Sequence, residues 1–189
     1  MGERLVLDVE NDGKVVAKIY YHWSGYTTSA IDECVKLIKS WKENKKEDEP
    51  IELTLLKIIY SYGGGIANDE NLEDEIKYLE ELNNGLAVEV KSGHRNEGLI
   101  AFSEKGKKNH DYWAEETATV YLDRPEPTFE VFGTFMGLWD EDEDYEKRKD
   151  KAIRYNIDSE FTIEEAEELK DIVEGNEVIF CKGDYWQAL

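Results

Sequence analysis

Three histidines and two cysteines are the residues from which nucleophilic, acid–base or metal chemistry would be built. Their spacing supports none of it. His22, His94 and His110 are dispersed, and no two of them share a metal-ligand spacing with Cys, Asp or Glu. Cys34 falls on the apolar stripe of a predicted helix, and Cys181 ends the apolar run Val178–Cys181, so both read as small buried hydrophobes. They form no disulfide framework. The chain has no Gly-x-Ser-x-Gly nucleophile motif, and Gly63-Gly64-Gly65 lacks the Gly-Lys-Ser/Thr that would make it a phosphate loop. A calcium loop starting at Asp140 would need glycine where Tyr145 stands and glutamate where Lys151 stands. The expectation is a non-enzymatic protein with no metal and no cofactor.

Two patterns point to binding instead. The first is acidic: Trp139, Asp140, Glu141, Asp142, Glu143, Asp144 and Tyr145 lead toward Glu164, Glu165 and Glu168 on a later helix. Closely spaced carboxylates present negative charge to Lys and Arg much as a phosphate row does, with Trp139 and Tyr145 as aromatic anchors. The bland counterpart is a solvated charged face. The second is a local positive island: Lys91, His94, Arg95, Lys105, Lys107, Lys108 and His110, followed by Trp113. Together with the aromatic corner Tyr20–Tyr26, which holds His22, Trp23 and Tyr26, it offers charge and stacking to a phosphate or nucleobase. The bland counterparts are corner packing and the offsetting of neighbouring acids.

The charge balance weights the first pattern. Forty-four acidic residues against 23 basic ones give a formal net charge of −21. Such a chain repels nucleic acid and anionic membranes, and either simply stays soluble or presents its charge to a protein with a basic surface. No window approaches eighteen apolar residues, so membrane spanning is not expected and the cytoplasm is the expected location. The length of 189 residues suits one domain with a real core.

The elements that must position these residues follow from hydrophobic period. Leu5, Leu7 and Val9 alternate with polar partners, and Asn11-Asp12-Gly13 turns the chain into a second, more apolar strand, Val15–Tyr21. Ser29 is the expected N-cap of a helix from Ala30 to about Lys42, with Ile31, Cys34, Val35, Ile38 and Trp41 on one face. Pro50 opens a second helix, Ile51–Tyr62, with strand as the competing reading; it is apolar nearly all round, which leaves open whether it is core or a dimer surface. A third helix carries Leu72, Ile76, Leu79 and Leu82 and stops at Asn83-Asn84-Gly85. Strands are expected over 86–91, 99–103, 117–123 and 128–135, with a polar loop over 105–111. Thr162-Ile163-Glu164-Glu165 reads as a capping box for a last helix to about Val173, followed by a strand over 177–182. The expected fold is α+β: one domain over 1–189, a mainly antiparallel sheet with an N-terminal ββα unit, helices packed on one face, and an acidic sub-region from about 139.

Tyr20–Thr27 and Arg95–Ala101, with Tyr112 and Trp113 following, resemble a group of uncharacterised accessory proteins from phages and prophages of Gram-positive bacteria. The resemblance covers Arg4 to about Phe135 and carries no catalytic residues. It implies a setting in which small acidic proteins inhibit host defence, anti-CRISPR proteins among them, several of which look like nucleic acid to their targets. The implied partner is a host nuclease or CRISPR effector. The alternative is a protein or enzyme that sequesters or processes a nucleotide signal.

Overall fold

The computed structural model describes residues 3–67, 69–110, 113–133, 152–174, 176 and 178–182. Strands β1 (Leu5–Asn11) and β2 (Lys14–Tyr21) form the expected hairpin, with Asp12 and Gly13 at positive φ in its turn. Then come α1 (Thr27–Asn44), α2 (Ile51–Ser61), β3 (Gly65–Ile66) and α3 (Leu72–Leu82). After these lie β4 (Leu99–Ala101), α4 (Glu104–Asn109), β5 (Glu116–Tyr121) and β6 (Thr128–Gly133). Strands β7 (Ile153–Asn156) and β8 (Val178–Cys181) flank α5 (Ile163–Val173).

Six strands make one sheet in the order β3-β4-β2-β1-β5-β6. Three of its five pairings are antiparallel (β1–β2, β2–β4 and β5–β6), while β1–β5 and β3–β4 are parallel. The sheet is therefore mixed within an α+β fold. The parallel pairs arise because β1 and β5 are separated by helices, which permit a crossover that a tight turn does not. Strands β7 and β8 pair parallel in a second, two-stranded sheet.

Period-two burial gives the main sheet two unlike faces. Leu5, Leu7, Val9, Ile19, Ala118 and Val120 point inward and are at most 2% exposed. Against them α1 lays Ala30, Cys34, Leu37 and Ile38, and α2 lays Leu55, Ile58 and Ile59, all inside the same core. The apolar second helix is thus core. On the other face Asp8, Lys18, Thr117 and Thr119 alternate with these residues and are only partly covered. The short α4 and residues 113–114 border that face.

Several local expectations are corrected. Helix α1 starts at Thr27 with Tyr26 as N-cap, one turn before Ser29, because its first turn tucks Thr27 against buried Glu116. Residues 86–91 are not a strand: Leu86 is 66% exposed, so the alternation there packs only Val88 and Val90 against the core. The polar stretch 105–111 is not all loop, since Ser103 caps α4 through Gly106 N–H at 3.0 Å. Gly65 opens β3, and the glycines 64, 65 and 93 let two backbones cross. A Cβ on Gly93 would lie 2.0 Å from Gly64 C.

Candidate functional site

The aromatic corner forms at one end of the sheet, where β2 ends and β1 and β5 begin. His22 N–H donates to Arg95 O at 3.1 Å, so the 92–98 loop is tied to the corner by backbone. The Tyr20 hydroxyl lies 2.6 Å from His22 Nδ1, and the His22 ring meets Trp23 edge-on at 4.9 Å. Partial burial and the charges of Arg95 and Arg4 hold the His22 imidazole below its ordinary pKa. Arg4 itself is committed to Glu115, its Nε donating at 3.0 Å to one oxygen and its Nη2 to the other. Tyr26 donates its hydroxyl to Glu3 instead of joining His22.

The positive island of the sequence does not stay together. Lys91 lies over the Tyr60 ring, beside Glu89. His94 is exposed at a loop tip, where Asn96 N–H approaches its Nδ1 at 3.4 Å. Lys105 pairs with Asp74 at 2.9 Å. His110 is 2% exposed, bonded through Nε2 to Leu99 O at 2.6 Å, and burial lowers its pKa. Lys107 and Lys108 do line a recess, and there they meet two lysines from β2, Lys14 and Lys18, which sequence proximity did not reveal. Trp113 belongs to an adjoining recess on the same sheet face.

On the acidic side, Trp139, Asp140, Glu141, Asp142, Glu143, Asp144 and Tyr145 lie outside the described residues. Helix α5 is described and has the predicted capping box: Thr162 Oγ1 accepts from Glu165 N–H, and the Glu165 carboxylate accepts from Thr162 N–H at 2.8 Å. Glu165 is thus used by its own helix. Glu164, Glu168 and Asp171 follow at i, i+4 and i+7 on one exposed stripe, and none forms an ion pair among the described residues. The opposite side of α5 faces α1 across a groove of about 320 Å³ floored by Ile31, Val35, Leu169 and Val173. Lys39–Glu167 at 2.6 Å and Lys170–Asp32 at 2.7 Å bridge it.

No protein-family model matches the chain. Nor does any curated protein or solved structure. Function is therefore argued from these surfaces alone.

The Cys34 thiol is fully buried and pushed well up by burial, which keeps it protonated and inert. Among the described residues no three His, Cys, Asp or Glu side chains converge as metal ligands would, and no helix is long and apolar enough to cross a membrane. Among the described residues the strongly shifted carboxyl is Glu116, pushed up to about 8 by burial, but it is sealed beneath α1 with no exposure. Perturbed groups mark function when they line a cleft; Glu116 lines none of the recesses described above.

Proposed function

We propose that this protein is a non-enzymatic, acidic binding protein that occupies a basic, nucleic-acid-binding surface of another protein. The supporting observation is the α5 stripe, where Glu164, Glu168 and Asp171 present carboxylates in steps of roughly 6 Å and roughly 4.5 Å along the helix axis. Elsewhere many of the cations are ion-paired, as in Lys36–Glu33, Lys42–Glu126, Lys57–Glu49 and Arg124–Glu160. The net charge of −21 is thus carried by acids in excess. Complementary charge steers such a partner and fixes its register. The resemblance to phage accessory proteins makes a host defence nuclease or CRISPR effector the partner class, with the acidic tract from Trp139 to Tyr145 as a further expected contact.

The test is displacement of labelled DNA from purified RNA-guided nucleases, read by fluorescence anisotropy at low and high salt. Displacement that weakens steeply with salt, and is lost in E164Q/E168Q/D171N and in D140N/D142N/D144N, supports the reading. Displacement indifferent to salt and to both variants would remove it, because exposed charges act over only about 8 Å at physiological ionic strength.

A further inference from the structure

The partly open face of the sheet holds two recesses that meet. One, of about 370 Å³, lies beside Trp113, with Val6, Thr117 and Thr119 in its wall. The other, of about 730 Å³, lies between α4 and the β1–β2 hairpin, with Lys14, Lys107 and Lys108 in its wall. Asp8 and Lys18 line both, so they are halves of one trough. From Val6 to Asn11, which pairs with Lys14, five steps of about 3.3 Å make its floor roughly 16 Å long.

The charge of this trough is opposite to that of the chain. Four lysines, Lys14, Lys18, Lys107 and Lys108, face two carboxylates, Asp8 and Glu104, in a protein of net charge −21. Lys107 is committed to Val15 O at 2.8 Å and to Glu104. Lys14 and Lys108 are exposed and enter no ion pair among the described residues. Lys18 Nζ lies 3.4 Å from Asp8 Oδ1, yet without hydrogen-bond geometry, so that buried oxygen lacks a donor. At the far end Trp113 is 84% exposed and sits at φ 56, a conformation costly for a bulky side chain.

We propose that this trough binds a nucleoside polyphosphate. The base stacks on Trp113, and the phosphates lie between Lys14 and Lys108. Each end does what its residue type does well: an indole face accepts any base, and flexible ammonium groups bind phosphate as point charges. The trough length suits one nucleotide with its phosphates. A long nucleic acid would meet the repulsion of the whole chain, whereas a small anion feels mainly charges within a Debye length of about 8 Å. The site shares no residue with α5, so it stands or falls apart from the acidic-stripe reading.

The probes are ATP, tripolyphosphate and adenosine, titrated into the full chain by calorimetry alongside thermal melts. ATP is expected to bind saturably and raise Tm by mass action. K14A/K108A should weaken ATP binding about tenfold or more, as loss of charge-assisted contacts does. W113A should weaken ATP roughly five- to a hundredfold while leaving tripolyphosphate unchanged. No binding of ATP at millimolar concentration would overturn the proposal. So would undiminished binding by K14A/K108A, or a W113A variant that loses tripolyphosphate as much as ATP.

Discussion

Two buried carboxyls, Glu75 on α3 and Glu116 on β5, are 2% and 0% exposed, and each underlies one of the two surfaces described above. Glu75 accepts from Phe102 N–H at 2.8 Å, from Ser103 N–H at 3.1 Å and from Ser103 Oγ at 2.6 Å. That cluster fixes the junction of β4 and α4, and so the positions of Lys107 and Lys108. Glu116 has one side-chain donor, Thr27 Oγ1 at 3.1 Å, and its Oε1 has no hydrogen-bond partner. It sits beneath the first turn of α1, the helix on which α5 packs. Burial is the same at both sites, but the supply of donors is not. Where donors are plentiful the carboxyl ties two elements together; where they are scarce it retains its proton.

The comparison breaks most visibly at Glu75. Replacing it with alanine leaves two backbone N–H groups and a hydroxyl buried without their acceptor. E75A is expected to cost about 3–5 kcal/mol in urea denaturation, since each buried donor left without an acceptor costs about 1–3 kcal/mol. A Cβ on Gly106 would lie 2.0 Å from Glu75 Oε1, so glycine there is part of the same fit. If E75A were nearly neutral, the α3–α4 junction would not be what holds the lysine side of the trough.

Glu116 sharpens the comparison through pH. Its folded pKa of about 8 lies above the ordinary 4.5 because burial disfavours the charged form. The folded state therefore holds this proton more tightly than the unfolded one. Its stabilising effect is complete below about pH 4.5 and is lost as pH rises through about 8. Between those limits wild type should lose about 2–4 kcal/mol relative to E116Q, whose amide does not titrate. Urea midpoints of both proteins at about pH 5 and about pH 9 measure this as a difference of differences, which cancels the other titrating groups. Parallel pH profiles would mean that Glu116 finds a second donor or water in solution.

Neither carboxyl was legible in the sequence, for a physical reason. Among 44 acids nothing local distinguishes one that will be buried, because burial is decided by contacts far along the chain: Glu75 with Ser103, Glu116 with Thr27. What local chemistry decides was readable. The Asp12-Gly13 turn, the apolar stripe through Ile31, Cys34 and Ile38, the stop at Gly85 and the Thr162–Glu165 capping box all follow from residues within about one helical turn. Alternation over 86–91 misled because Val88 and Val90 pack on the core, whereas backbone bonding to β3 comes only at the end of the segment, where Lys91 O accepts from Ile66 N–H at 3.0 Å. The positive island misled similarly. Proximity in sequence grouped Lys91, Arg95 and Lys107, whereas the sheet register brings Lys14 and Lys18 to Lys107 and Lys108.

The smallest expected effects are at α5, and they separate what holds this helix from what it displays. Leu169 and Ala166 are 2% and 3% exposed against α1, while the bridging pairs Lys39–Glu167 and Lys170–Asp32 are at least half exposed on both partners. Exposed pairs gain little, because water screens them and two long side chains must be ordered. K39M and K170M should therefore leave the urea midpoint unmoved. T162A removes the acceptor for Glu165 N–H and should cost about 1 kcal/mol, as loss of an N-cap does. If the lysine variants cost more than T162A, the ion pairs rather than the apolar floor would anchor α5, and its outward carboxylates would depend on salt for their placement as well as for binding.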